Sequence, residues 1–467
     1  MPSLEKLPYR LAKSRRTQRN RKKLMRSSYL PLAALSLSTT AQAQEMPSAA
    51  RLKADVEKLV SFGTRHSLSD ANDSKRGIGA ARRWFHSELD KTSKACGNCI
   101  QTSMIERVFT NERAPKGANI VDVLGIQPGA DPNRVVIVMG HIDSRVTDVM
   151  NTTSDAPGAN DDGSGTALVL EAARILSKEK FNATIVYAAL SGEEQGLLGG
   201  RLLADTAKQR GWVVSAVLNN DIVGNTRRAD GTVVADRVRV FSEGIEAAAP
   251  IETQLARRAS GSEDDSPSRT LAKTVRSVAK TIPNGLDVLA VRRPDRFGRG
   301  GDHTPFLEAG YPAVRFSVGI EDFAAQHQDL RPGFGDTVDK MDFPYLAKVT
   351  AINVATLRRL ATAPAAPETV TLAPAYTPGA PGESNFGRVV IGAKVSWKPV
   401  DGATGYRVYW KRADQYEWSN HVDVSGAQTT ETTVKGVIVD DNFLGVAALG
   451  ANGAESIVTF GGIPPRR

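Results

Sequence analysis

The residues of this chain best suited to chemistry are imidazoles and carboxylates at the ends of apolar runs. "VVIVMGHIDS" ends in His141, with Asp143 two positions on. In extended chain, residues i and i+2 point the same way. The Asp143 carboxylate can therefore accept the imidazole N–H that His141 does not use for a metal, fixing its tautomer. "APGANDDGSG" presents Asp161 and Asp162, "ALSGEEQGLLGG" the adjacent Glu193 and Glu194, and "VLNND" closes on Asp221. A second imidazole is available from His303 in "GRGGDHTPF" or His327 in "AAQHQD". Only the loop after a parallel strand lies at the carboxyl edge of a sheet, which favours His327 as a ligand and leaves His303 nearer the helices or the substrate. Taken singly, each has an ordinary reading: a helix cap, acidic residues in a first helical turn, a loop histidine.

Together they supply two imidazoles and several carboxylates in the order His, Asp, Glu-Glu, Asp, His. Zinc accepts N and O ligands, and a site with an open position lowers the pKa of bound water toward neutrality. Two zinc ions sharing one carboxylate need about four further protein ligands, which this set provides. Three ligand carboxylates and a hydroxide balance two Zn²⁺, so the pair can sit in a partly dry cleft. Glu193 is then the spare carboxylate. Side chains at i and i+1 diverge, so Glu194 can bind metal while Glu193 faces water and substrate.

The elements that must position these residues follow from patterning. Apolar runs that suit buried strands ("RVVIVMG", "ATIVYAAL", "SAVLNND") alternate with helical patterns ("GTALVLEAARIL", and a helix from about Glu193). The expected fold is α/β, a mostly parallel mixed sheet flanked by helices. "ATAPAAPETVTLAP" reads as an Ala/Pro linker at 361–374, after which short alternating strands and Gly/Asp turns predict an all-β sandwich at 375–462. The α/β domain then spans 44–360, preceded by a leader at 1–43. The leader holds ten of the 60 Lys/Arg and one of the 51 Asp/Glu, so the rest of the chain is neutral despite a formal charge of +9. Nothing in that balance calls for a nucleic-acid partner. A basic stretch, the apolar run "SYLPLAALSL" and an Ala-x-Ala site ending at Ala43 have the layout of a secretory signal, Met25 being the more ordinary start. The apolar run is roughly half of what a membrane span needs, so no stable membrane anchor is expected in a periplasmic or extracellular product. Cys96 and Cys99 are the only cysteines, and an oxidising compartment favours a disulfide between them.

The motifs around His141, Asp161, Glu193-Glu194, Asp221 and His327, the last in "AAQHQDLRPGFGDTVDKMD", resemble those of the M28 family of co-catalytic zinc peptidases over roughly residues 54–360. The resemblance implies a zinc-dependent exopeptidase fold and two Zn²⁺, with His141 and Asp221 on one ion, Glu194 and His327 on the other, and Asp161 bridging. It implies Asp143 as the orienter of His141, Glu193 as general base, His303 close by without ligating, and a cis peptide at Asp161–Asp162. Gln326 stands where the family often has tyrosine. The M20 peptidases share the ligand order but not the "GANDDGSG" motif. The implied activity is removal of N-terminal residues from peptides by a secreted aminopeptidase. The alternatives are a single-zinc acyl transferase like glutaminyl cyclases, or a non-catalytic receptor-like relative. Residues 393–412 and 443–456 resemble a fibronectin type III module, with Trp397 and Tyr406 as core aromatics, Phe443 at the usual corner tyrosine, and a surface protein or glycan as its kind of partner. Arg296 and Arg299, in "RFGRGGDH", offer cations that could steer a carboxylate or simply solvate a loop.

Overall fold

Val135, Val136, Ile137, Val138 and Met139 are all fully buried, and they divide alternately between two hydrophobic layers. A run of this kind requires a strand covered on both faces. It forms the centre of β3 (Asp131–His141), and β4 (Ala183–Leu190) repeats the pattern, with Ile185, Tyr187 and Ala189 in one layer and Val186, Ala188 and Leu190 in the other. The structure, a computed structural model, describes residues 45–380 and 382–462. The leader at 1–43, with its cleavage position, lies outside the described residues.

The remaining strands of this sheet are β1 (Gln101–Asn111), β2 (Ala114–Gln127), β5 (Val213–Asn220), β6 (Arg237–Phe241), β7 (Asp287–Val291) and β8 (Ala313–Val318). Their order is β1-β2-β4-β3-β5-β8-β6-β7. Strands β4, β3, β5 and β8 are mutually parallel, whereas β1, β2 and β6 introduce antiparallel neighbours. One layer is completed by α1 (Ala49–Val60), α2 (Gly77–Ala95), α3 (Gly163–Leu176), α6 (Pro267–Ala279) and α8 (Phe343–Thr362). The other is completed by α4 (Leu198–Gln209) and α7 (Thr304–Glu308). A further helix, α5 (Ile251–Ser260), has no buried residue. The carboxyl ends of the four parallel strands share one edge, the edge from which all the chemistry-bearing loops emerge.

The helix expected from about Glu193 begins five residues later, at Leu198. Gly192, Gly196 and Leu197 all have positive φ, a conformation that a right-handed helix excludes. The glutamate pair therefore lies in a loop, and a helix macrodipole does not account for it.

Beyond α8, β9 (Val370–Tyr376) starts inside the stretch read as linker and pairs with β10 (Val390–Trp397), which pairs in turn with β13 (Glu431–Lys435). A second antiparallel sheet contains β11 (Gly405–Arg412), β12 (Asn420–Ser425), β14 (Asn442–Leu449) and β15 (Thr459–Phe460). The two sheets share a core in which Trp397 and Tyr406 meet with ring centroids 5.1 Å apart. Cys96 and Cys99 are joined in a disulfide. Among the described residues, no helix is long and apolar enough to cross a membrane.

Candidate metal centre

His141 ends β3, Glu193 and Glu194 follow β4, Asp221 follows β5, and His327 lies in the loop after β8. Parallel packing of those strands brings residues far apart in the chain into two overlapping groups: His141, Asp161 and Asp221, and Asp161, Glu194 and His327. The potential ligand atoms within each group lie within 4.8 Å of one another. Asp161 belongs to both. Its Oδ1 is 3.1 Å from His141 Nε2, and its Oδ2 is 2.8 Å from His327 Nε2. Glu194 Oε1 stands 3.0 Å from the same His327 nitrogen. Donors on a tetrahedral zinc with bonds of about 2.0 Å are about 3.3 Å apart, so the set fits the ion in both chemistry and spacing. His141 Nε2, Asp161 Oδ2 and Glu194 Oε1 are buried and make no hydrogen bond, the state expected of atoms facing a cation rather than a donor.

The electrostatics are those of a dense acidic cluster holding two imidazoles. Burial alone would depress the His141 imidazole, but Asp143 and Asp161 hold it well above the usual histidine range. Burial likewise opposes ionisation of Asp161, yet His327 and His141 keep that carboxyl well below its ordinary value. Glu193 differs: burial drives it well above the carboxylate range, reinforced by Glu194 and opposed by His141. It takes part in neither ligand group and lines the adjoining cleft. A carboxyl beside the ligand groups and open to the cleft is placed to exchange protons with a molecule bound there.

Asp143 is fully buried and does more than face an imidazole. Its carboxylate accepts the backbone N–H of Glu193 at 3.4 Å and of Glu194 at 3.2 Å. His141 Nδ1 lies 3.5 Å from that carboxylate and 3.2 Å from the Asp143 carbonyl oxygen. The loop after β3 is thereby tied to the loop after β4. His303 is buried but belongs to neither group; its Nε2 contacts the Pro294 carbonyl oxygen at 2.8 Å.

The cis peptide at Asp161–Asp162 is the one the family resemblance implies, whereas the contacts that support the ligands were not evident from sequence. Asp162 follows Asp161 across a cis peptide bond and accepts N–H groups from His141, Gly165 and Ile222. Asp336 accepts the N–H of both Asn160 and Asp161. The buried Arg65 guanidinium donates to the carbonyls of Ile142, Pro157 and Gly158. Arg315 Nη2 stands 2.9 Å from Asp221 Oδ1, while its Nη1 donates to Asp295. Arg145 donates to Glu194 Oε2 at 2.7 Å, and its Nη2 lies 2.6 Å from His327 Nδ1. Ile222 and His327 are left-handed at φ 61° and 57°, a cost that a β-branched residue such as Ile222 bears only where its surroundings over-determine it. Asp336 lies in "FGDTVDKMD", within the stretch that resembles the family, but nothing in residue type separates it from other loop carboxylates.

Fold and site together are those of an α/β protein whose sheet edge is built to hold divalent metal. Residues 122–357 match the model of peptidase family M28. The chain is 40% identical over 428 residues to a probable zinc metalloprotease of Pyrenophora teres f. teres, covering 88% of this chain and 84% of that one. It is 39% identical over 421 residues to a probable zinc metalloprotease of Leptosphaeria maculans, covering 88% and 94%. Among solved structures it is similar to an aminopeptidase from Aneurinibacillus sp. strain AM-1, with a TM-score of 0.48 and 13% identity over 68% of this chain and 95% of that one. The chain belongs to peptidase family M28 and is a zinc metallopeptidase.

Proposed function

We propose that the protein is a secreted dizinc aminopeptidase. In this reading His141 and Asp221 would hold one zinc, Glu194 and His327 would hold the other, and Asp161 would be shared between them. The observation that carries it is the division of Asp161, whose two carboxylate oxygens face different imidazoles. Zinc, when bound, supplies Lewis acidity toward the scissile carbonyl and an acidified water. Glu193 takes a proton from the attacking water and delivers it to the leaving amine. Asp143 keeps His141 oriented and holds the Glu193–Glu194 backbone in place. Residues 1–43 act as a secretory leader. Residues 375–462, together with the part of β9 that lies within 361–374, form a fibronectin type III-like module that serves as a spacer or adhesion element toward a surface protein or glycan; two sheets around Trp397 and Tyr406 support that assignment.

Glu193→Gln is expected to lower kcat by at least about 100-fold, the scale of a lost general base, with zinc content unchanged. Full activity in that variant would reject the base assignment. Metal analysis of the purified protein should give about two zinc ions per chain, against one for a cyclase-like site. A peptide library with free and acetylated N-termini tests end preference: blocking should abolish release of amino acids.

A further inference from the structure

Beside the two ligand groups lies a cleft of about 340 Å³. Its remaining wall carries four guanidinium groups, from Arg113, Arg145, Arg296 and Arg299, and Leu197 is the one apolar side chain among its lining residues. Such a surface gives little to an aliphatic or aromatic side chain. Two of the arginines are committed elsewhere. Arg145 is bound to Glu194, and Arg296 donates to Asp295 at 3.2 Å and to Glu321 at 3.1 Å.

The other two are less fully paired. Arg113 is exposed, donates to the Glu194 carbonyl oxygen at 2.9 Å, and has no carboxylate within ion-pair distance among the described residues. Arg299 reaches Glu321 at 3.3 Å and the Gln326 side-chain oxygen at 3.4 Å. Glu321 is already shared with Arg296 and with Arg239, the latter at 2.7 Å, so one carboxylate faces three cations. Arg113 is thus anchored on one candidate ligand residue, and Arg299 on the neighbour of another. An adjoining depression of about 350 Å³ shares Arg296 and Arg299 with the cleft and adds Arg239 and Arg293, here alongside Phe241, Phe297 and Phe323.

We propose, resting on the exopeptidase reading above, that the residue this enzyme releases carries a carboxylate, received by Arg113 and Arg299. Guanidinium groups pair with carboxylates by charge-assisted, geometrically matched hydrogen bonds, and the same cations repel a lysine or arginine side chain. On an aminopeptidase the carboxylate is the side chain of an N-terminal Asp or Glu. Were release to come from the other end, it would be the free α-carboxylate.

The test uses the zinc-loaded, full-length protein and peptides with N-terminal Glu, Asp, Leu or Lys, each free and N-acetylated. Free Glu and Asp peptides should exceed Leu by about 10-fold or more in kcat/KM, with Lys the poorest, and the preference should weaken with added salt. Arg113→Gln and Arg299→Gln should raise KM for Glu peptides about 10-fold and lower the Glu-over-Leu ratio of kcat/KM by a similar factor. Calorimetry supplies a readout independent of turnover: L-glutamate should bind more tightly than L-leucine, and the double variant should lose that difference. Leu peptides cleaved as well as Glu peptides would overturn this inference and leave the aminopeptidase reading standing. A preference surviving both substitutions would also overturn it. Release of C-terminal residues from acetylated peptides, sensitive to the same substitutions, would uphold carboxylate recognition and reject the aminopeptidase reading.

Discussion

Asp143 reaches the Glu193 and Glu194 N–H groups because β4 lies beside β3. Burial alone would raise its carboxyl, and His141 brings it below the ordinary range, so it is an anion when it accepts those bonds. Asp143→Asn would oppose a carboxamide N–H to one of those backbone donors and weaken the link to His141. Zinc affinity should fall about 10–100-fold, the usual cost of removing a partner of a metal ligand. Competition with a chelator measures it, and an unchanged affinity would confine Asp143 to loop structure. The candidate ligands were legible because their chemistry is written in residue type: histidines and carboxylates at the ends of apolar runs are few. The groups around them were not, since Arg65, Arg145 and Asp336 are common residue types that acquire a role only when folding aims them. Asp143 is intermediate: its i+2 relation to His141 gave it a place, but its backbone partners depend on the pairing of two strands.

At the level of elements, the parallel core strands were readable from unbroken apolar runs, and α3 from its periodicity. The start of α4 was not, because the left-handed conformation of Leu197 carries no signal in its residue type. Close approach is similarly hidden. Gly165, in the first turn of α3, lies so near the end of β5 that a Cβ there would overlap the Asn220 carbonyl oxygen and the Asp162 carboxylate, and a Cβ on Gly140 would lie 2.7 Å from the Gly165 carbonyl carbon. These glycines let α3 sit directly over the strand ends that carry His141 and Asp221. Gly165→Ala must therefore push helix from sheet or displace Asp162, at a cost of about 1–3 kcal/mol typical of overpacking. Because Asp162 accepts the His141 N–H, activity should fall further than stability alone explains. Denaturant unfolding and kcat/KM on the same preparation separate the two effects, and wild-type behaviour in both would show that the helix shifts freely.

Across the whole molecule, the α/β part and the C-terminal sheets are joined by a charge cluster that no motif announces. Asp265, just before α6, stands between Lys273 of α6 and Lys411 of β11, with the two lysines respectively 3% and 0% exposed in their side chains. Lys273 Nζ lies 4.4 Å from the Tyr416 ring centroid, and Lys411 Nζ lies 5.0 Å from that of Trp418, so aromatic faces supply part of the missing compensation. One carboxylate for two buried ammonium groups is still unbalanced. Burial and the neighbouring Lys411 bring Lys273 down to about 8, despite Asp265. Between about pH 8 and the ordinary lysine value the unfolded chain binds more protons than the folded one, so this group destabilises the fold below pH 8 and ceases to do so as pH rises. Asp265→Asn removes the only anion of the trio and should cost about 3–5 kcal/mol, as expected for an uncompensated buried charge. Lys273→Met leaves Asp265 and Lys411 as a balanced pair; it should cost far less at pH 7 and flatten the rise in stability above pH 8. Thermal unfolding of both variants across pH 7–10 is the measurement. Equal losses from the two substitutions would mean that the junction is held by packing, with the charges contributing little.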